Sequence, residues 1–452
     1  MTLTPERLSV EQALSAARET KALVIADGAI ARTPQVFREQ FGSRPAVIVA
    51  DSNTLRAAGQ AVHDAFRSAQ LPMVEPFVFD DPDLYAEYQF VEKLEASLRN
   101  HSAIPVAVGS GTINDLTKLA AHRTNRPYLC VATAASMDGY TAFGASVTFQ
   151  GSKQTFDCPA PTAVVADLQV ISNAPAQMNA WGYADLLAKV TAGADWILAD
   201  AVGAEPIDRL AWNIVQGELR SSISNPAGVS VGERDAIGGL VNGLMLGGFA
   251  MQATRSSRPA SGAEHQFSHL WDMQHHTHNG AAPSHGLKVG IGTLAVTALY
   301  EHLFKQPLDH LDIHRCGEAW PGEDTWVKRA ESMFSNGDLR TVAVREIRAK
   351  NGNRDQVKSQ LEGLREGWPE LRMRLRAQLI PFRSLEAMLN DAGAATHPEQ
   401  IGISRERLRD SFWQAFFIRR RFTVLDLAVR TGLLDQSLDS LFGSNGVWPI
   451  KP

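Results

Sequence analysis

Pro105-Val106-Ala107-Val108-Gly109-Ser110-Gly111-Thr112-Ile113-Asn114-Asp115-Leu116-Thr117-Lys118 is the stretch that decides the fold. Its first four residues read as a buried strand, its glycines as a sharp turn, and its remainder as the opening of a helix. That order suits a phosphate-binding turn. Glycines let the backbone approach an anion, and a helix N-terminus offers free N–H groups and the positive end of its dipole. The spacing is not Gly-x-Gly-x-x-Gly, so the ordinary dinucleotide fingerprint is absent. On spacing alone, a plain strand-to-helix turn fits equally well.

Outward from this turn, residues 45–50, 77–79, 128–132 and 163–166 read as further strands. Residues 89–100 have helical spacing, with Phe90, Val91, Leu94 and Leu98 on one face. Strands alternating with helices predict a doubly wound, mostly parallel sheet. Beyond about residue 179 the β-rich runs nearly vanish. Residues 181–198, 234–254 and 285–304 read as helices with small-residue faces, and residues 356–379 and 405–434 carry amphipathic spacing. Arg419-Arg420-Arg421 reads as a solvated helix face. The expected division is an α/β nucleotide-binding domain over residues 1–175 and an all-helical domain over residues 176–452. Residues from about 330 onward form a helical extension.

The chain has 452 residues, 44% hydrophobic and 21% charged, with a net charge of −5. No basic excess points to nucleic acid or anionic lipid. No apolar run reaches the ~18 residues of a membrane span, and the polar N-terminus lacks the apolar core of a signal peptide. Cys130, Cys158 and Cys316 are far apart and odd in number, so a reducing cytoplasm is the expected compartment.

Histidine is crowded. Six of the 13 histidines lie between His265 and His285, and imidazole is the commonest metal ligand. His265 and His269 are four apart and share a helix face. His285 follows a loop ending in a plausible cap, Ser284, and opens the next helix. Glu264 and Asp272 are available as hydrogen-bond partners for ligating imidazoles. Two imidazoles want a third ligand. Asp185 interrupts an otherwise small and apolar helix, where a carboxylate must be paired or bind a cation. Asp51 ends an apolar strand, where it fits either an acceptor for a ribose or a helix cap. Thr133, Ser136 and Asp138 follow the strand at 128–132, where a polar ligand or simply a polar loop fits.

The order Gly-x-Gly-x-x-x-Asp-x-x-Lys, Asp185 in a small-residue helix, Ser261-Gly262-Ala263-Glu264-His265, then Ser284-His285-Gly286 resembles a known superfamily. It is that of the iron-containing alcohol dehydrogenases and dehydroquinate synthase-like enzymes. Within it, Ala135-Ser136-Met137-Asp138-Gly139-Tyr140, the segment from Gly182 to Lys189 and that from Ser257 to His265 look closest to the sn-glycerol-1-phosphate dehydrogenases of the bacterial AraM type. The resemblance covers roughly residues 20–310 and continues weakly into the helical tail at Arg421-Phe422-Thr423-Val424-Leu425-Asp426-Leu427-Ala428.

The resemblance implies a nucleotide-binding domain, a helical domain and an active site between them. It assigns one divalent metal (zinc, nickel or iron) to Asp185, His265 and His285. It assigns NAD, with NADP possible, to Asp51, Gly109, Ser110, Gly111, Thr112, Ile113, Asp115, Thr133 and Ser136. Asp138, Asp185 and His269 face the substrate, and Asp185, His265, His269 and His285 are the catalytic set. Arg258 and Lys288 are candidate phosphate partners, while His275, His276 and His278 line the connection's surface or the cleft mouth. Ala142 stands where relatives often have a serine, and Ser110 where they commonly have a glycine. The implied reaction is reversible hydride transfer between the nicotinamide and a substrate carbon, with the metal as Lewis acid. The implied substrate pair is dihydroxyacetone phosphate and sn-glycerol 1-phosphate, in a homo-oligomer. An unphosphorylated polyol such as glycerol, a dehydroquinate synthase-like lyase and a non-catalytic binding protein are the alternatives.

Overall fold

The computed structural model describes residues 4–450 apart from residues 83, 151 and 336. Residues 1–3 of the polar N-terminus lie outside the described residues. The strands are β1 (Ala22–Ala26), β2 (Ala46–Asp51), β3 (Phe77–Phe79), β4 (Ile104–Gly109), β5 (Leu129–Ala132), β6 (Ala145–Phe149), β7 (Ser152–Phe156) and β8 (Ala163–Asp167). Six of them form one sheet in the order β1-β8-β5-β4-β2-β3, and every pairing in it is parallel. Every residue of β4, β5 and β8 is buried, as parallel strands covered on both faces require.

The chain runs from β2 outward to β3, then returns to β4 on the other side of β2. That reversal opens a crevice beyond the carboxyl ends of β2 and β4, the place where open α/β sheets bind ligands. The register pairs Val49 with Ala107, so Asp51 and Gly109, two residues on, are level at this edge. Gly109 is in turn level with Ala132 of β5.

Three strands are absent from the sequence expectation. β1 forms an edge of the sheet, and β6 and β7 make an antiparallel hairpin outside it. The helices differ from expectation in two places. Residues 181–198 are two helices, Ala176–Leu187 and Lys189–Ala201, joined at Ala188. Lys189 Nζ donates to the Asp185 carbonyl oxygen at this junction, and a side-chain donor inserted there interrupts a helix. Residues 405–434 are also broken, into Arg405–Phe417 and Val424–Arg430, with Leu434–Phe442 following. Thr423 and Asp426 make a reciprocal capping box that restarts the chain as a new helix.

One face of the sheet packs a local core around Val36, Phe37 and Phe66. The core on the other face runs without interruption into the helical half, from Ala180 to Trp448. Among the described residues, Arg234–Thr254 is long and apolar enough to cross a membrane, with a mean hydropathy of 1.3. The polar interruptions Asn242 and Gln252 hide it from a search for unbroken apolar runs. It is 78% buried against the rest of the chain, as a core helix is.

Candidate functional site

Three helices converge on one point. Asp185 lies near the end of helix Ala176–Leu187, His265 in the first turn of helix Ala263–Met273, and His285 at the start of helix His285–Leu303. Small residues allow the approach. A Cβ on Gly182 would sit 1.8 Å from the Ala135 carbonyl oxygen, and one on Gly286 would sit 1.9 Å from that of Trp181. Only glycine lets the Asp185 helix press against the loop after β5 and lets His285 enter beside Trp181. The Ser284 side chain accepts from the Leu287 N–H, the cap expected from the sequence.

Ligand atoms of Asp185, His265 and His285 all lie within 4.8 Å of one another. His265 Nε2 is 3.6 Å from Asp185 Oδ1. On its other ring face, His265 Nδ1 is 2.8 Å from Glu264 Oε1, and Ser268 Oγ is 3.3 Å from His285 Nδ1. Each ring thus has Nδ1 against an orienting oxygen, which leaves Nε2 for a cation. Glu264 is itself held by the Thr191 hydroxyl at 2.9 Å. Two imidazole nitrogens and one carboxylate, convergent and oriented from behind, fit a catalytic divalent metal with open positions. The His269 ring completes a triangle, its centroid 6.2 Å from that of His265 and 6.1 Å from that of His285.

Lys189 is the residue that sequence reasoning left without a role. Its ammonium is buried, 2.8 Å from Asp185 Oδ1 and 2.6 Å from Asp138 Oδ2. The Asp138 N–H also donates to Asp185 Oδ2 at 3.0 Å. The signal was the i,i+4 spacing of Asp185 and Lys189 on one helical face. Burial alone would raise the Asp185 carboxyl, but Lys189, His265 and His285 hold it well below the usual carboxylate range. Burial and the neighbouring Asp185 raise Asp138, with Lys189 opposing them. Burial would lower the Lys189 ammonium, but the two carboxylates raise it. His265 is likewise raised against burial by Asp185 and Glu264.

At the sheet edge, Gly109 ends β4 and Ser110 stands at the N-terminal cap position of helix Gly111–Arg123, where its side chain makes no capping hydrogen bond. A Cβ on Gly109 would meet Ile113 at 2.5 Å, so this glycine permits the tight turn. Thr133 donates its N–H to the Gly109 carbonyl at 3.1 Å, and Ser136 Oγ lies 3.3 Å from the Tyr140 hydroxyl. The Asp51 side chain accepts from the N–H groups of Asn53 and Thr54 at 2.7 and 2.9 Å, so it caps its helix. Both bonds fall on Oδ1 at the crevice. Asp115 accepts from the Ser146 N–H at 3.3 Å and lies 3.8 Å from Lys118 Nζ. Lys118 is buried and donates to the carbonyls of Gly139, Ala142 and Gly144, which clamps the loop carrying Asp138.

Other expectations are corrected. Only His275 of the three connecting histidines is exposed. His276 is buried, with Nε2 2.6 Å from the Ile401 carbonyl and Nδ1 2.8 Å from Arg407, and so ties the connection to the C-terminal segment. Asp272 forms an ion pair with Lys288. Arg258 is buried and donates to the carbonyls of Asp195 and Phe422 at 2.5 and 3.2 Å. Arg419, Arg420 and Arg421 lie in a break between helices, not on a helix face.

The family model described as iron-containing alcohol dehydrogenase matches residues 24–175, which hold the six-stranded sheet. The chain is 32% identical to glycerol-1-phosphate dehydrogenase (NAD(P)+) of Halalkalibacterium halodurans over 294 residues, 64% of this chain and 73% of that protein. The chain belongs to the glycerol-1-phosphate dehydrogenase family. Members of this family that it matches extend from Geobacillus stearothermophilus to Pyrococcus furiosus. The former is 28% identical over 406 residues, 89% of this chain and 91% of that protein. The latter is 30% identical over 279 residues, 62% and 78%. Among solved structures, glycerol dehydrogenase from Schizosaccharomyces pombe superposes with a TM-score of 0.59 at 16% identity, covering 96% of this chain and 92% of that one. Maleylacetate reductase from Agrobacterium tumefaciens does so with a TM-score of 0.58 at 14% identity, covering 93% and 96%. At those identities the likeness is one of fold, which the glycerol-1-phosphate dehydrogenase family shares.

Proposed function

We propose that this chain is a metal-dependent, NAD(P)-linked dehydrogenase that interconverts dihydroxyacetone phosphate and sn-glycerol 1-phosphate. The observation that carries the reading is the convergence of Asp185, His265 and His285, in a chain of this family, beside the loop that follows β5. The reading divides the chain into a nucleotide-binding unit, residues 1–175, and a helical unit, residues 176–452, with the site between them.

Asp185, His265 and His285 would hold the divalent ion (zinc, nickel or iron). Gly109, Ser110, Gly111, Thr112, Ile113, Thr133 and Ser136 would receive the dinucleotide, with Asp115 bracing that end. Asp51 is set toward the ribose, where its charge repels a 2′-phosphate and favours NAD over NADP. When bound, the metal supplies Lewis acidity at the reacting oxygen and the nicotinamide gives or takes the hydride. Glu264 and Ser268 fix the two imidazole tautomers. Lys189 balances the charge of Asp185 and holds Asp138 toward the substrate. His269 binds the substrate's hydroxyl and carries its proton to or from solvent. The three buried free cysteines accord with a reducing, cytoplasmic compartment.

One observation favours a second reading, a dehydrogenase of an unphosphorylated polyol such as glycerol. Lys288 and Arg258, the phosphate partners expected from the sequence, are held by Asp272 and by backbone carbonyls. The test follows nicotinamide absorbance with dihydroxyacetone phosphate and NADH, and separately with glycerol and NAD. Turnover with the phosphate is expected. Turnover with glycerol alone selects the second reading, and none on a broad polyol panel leaves a binding protein.

A further inference from the structure

A polar cavity of about 1000 Å³ lies apart from the three convergent ligands. It is walled by helix Gly337–Lys350, the start of helix Arg354–Gln378, the break at 418–423 and residues 203–205. Helix Lys189–Ala201 links the two places. Lys189 touches Asp185, and Gly203 lines the cavity 14 positions later. At 1.5 Å per residue Gly203 stands about 20 Å from Lys189, while Arg419 and Arg421 reach Ser261, four positions before His265. None of Asp185, Lys189, His265 and His285 lines it.

Five cations line this cavity, Lys350, Arg419, Arg420, Arg421 and Arg430, against three carboxylates, Glu205, Glu346 and Asp426. All three carboxylates already have partners. Glu346 accepts from Arg345 and Arg420 at 2.8 and 2.9 Å. Asp426 lies 3.1 Å from Lys350 Nζ and accepts from the Thr423 N–H, and Glu205 lies 3.4 Å from Arg258. Arg419 and Arg421 meet only neutral groups. Arg419 is 3.4 Å from Ser261 Oγ, while Arg421 donates to the Ser261 carbonyl at 2.6 Å and to Ser257 Oγ at 3.1 Å. Among the described residues neither has a carboxylate within 4.0 Å. Arg430, only 6% exposed, donates its terminal nitrogens to Gln360 Oε1 and to the Lys350 carbonyl, and its buried Nε has no hydrogen-bond partner among the described residues. Burial lowers both Arg419 and Arg421, and Arg421 is lowered further by Arg419 and Arg258 beside it; Glu346 and Glu264 oppose this at Arg419, and Glu205 and Glu264 at Arg421, without overcoming it.

Clustered guanidiniums that outnumber the carboxylates beside them are unfavourable unless an anion completes them. The guanidinium fork matches phosphate oxygens two at a time. We infer that this cavity is a second binding site, distinct from the dehydrogenase centre, for a small phosphate-type polyanion held by Arg419, Arg421 and Arg430. Inorganic phosphate, pyrophosphate and a nucleoside monophosphate share that chemistry and differ in source.

The test is calorimetric titration of the full chain with inorganic phosphate, pyrophosphate and AMP at low and high salt. At least one anion is expected to bind with one site per chain, more weakly at high salt. Ser359→Glu, at an exposed position on the rim, and Arg419→Met should each weaken it about tenfold or more, the ~1.4 kcal/mol of one charge-assisted contact. His285→Ala should leave it unchanged. If no anion binds the unaltered protein at millimolar concentration, the inference fails. It fails equally if His285→Ala removes the binding and Ser359→Glu does not, because the anion then occupies the dehydrogenase centre.

Discussion

Lys189 Nζ lies 2.8 Å from Asp185 Oδ1, the same oxygen that faces His265 Nε2 at 3.6 Å. One buried carboxylate oxygen therefore serves an ammonium and the mouth of the three-ligand set together. Asp138 closes the arrangement at 2.6 Å from the same ammonium. Two carboxylates against one lysine leave an excess negative charge where a divalent cation would be held.

Lys189→Met follows from that relationship. Removing one partner of a buried ion pair costs about 3–5 kcal/mol, because the remaining charge is buried alone. The metal-stripped variant should melt well below the metal-stripped parent. Added divalent metal should raise the melting temperature of the variant more than that of the parent, since the ion supplies the missing charge. Equal increments in the two proteins would show that Lys189 does not balance Asp185.

His285→Ala and Asp185→Asn should lose stoichiometric metal and dehydrogenase activity together. Neither change removes a large part of the core, so both proteins should remain folded by circular dichroism. Elemental analysis after purification without added metal is the measurement. Full metal content in both variants defeats the ligand assignment.

Glu264→Gln should act at one remove. The Glu264 carboxylate accepts from His265 Nδ1 and fixes the tautomer that presents Nε2. An amide donor or weaker acceptor in its place should lower metal affinity about 10–100-fold. A competitive chelator titration reads this directly. Activity should return at saturating metal, which a folding defect would not allow.

Gly182→Ala tests the close approach that brings Asp185 to the site. The new methyl would lie 1.8 Å from a backbone oxygen of Ala135, which has no rotamer to change. The expected cost is about 1–3 kcal/mol or more. Nicotinamide KM should rise, because the displaced loop carries Thr133 and Ser136. Gly238→Ala is the control. Its Cβ would meet only Leu168, at 3.6 Å, and a helical glycine replaced by alanine should not lower the melting temperature.

The strand-turn-helix at residues 104–123 was legible because a β-branched run, two glycines and a polar helix start all agree on one local structure. The convergence of Asp185, His265 and His285 was legible for a different reason: histidine and a lone acid in apolar helices have few other uses. Lys189 was not, because an i,i+4 pair has meaning only once both residues are known to be buried. The break at Ala188 has no glycine or proline to announce it. Asp51 satisfied two readings in the sequence and still caps its helix while standing at the crevice. All three of Arg419, Arg420 and Arg421 looked solvated, and Arg420 is exposed while Arg419 and Arg421 are half-buried, since composition does not say whether a long cation points to bulk water or into a cavity.

Glu346 gives the pH dependence. Burial would raise its carboxyl, but Arg420 and Arg345 outweigh burial and hold it at about 2, against 4.5 for an unperturbed glutamate. The folded state therefore prefers the ionised form. That preference contributes stability in full above about pH 4.5 and loses it as pH falls toward 2. Glu346→Gln removes the contribution at neutral pH and has none left to lose in acid. The parent should melt above the variant at pH 6, and the gap should narrow steadily between pH 4.5 and pH 2.5. The difference between the two proteins at each pH therefore reports this group. Because Glu346 anchors Arg420 in the break at 418–423, the same variant should loosen that segment, measurable as faster amide exchange there. A gap independent of pH would mean that Arg345 and Arg420 do not depress this carboxyl in solution.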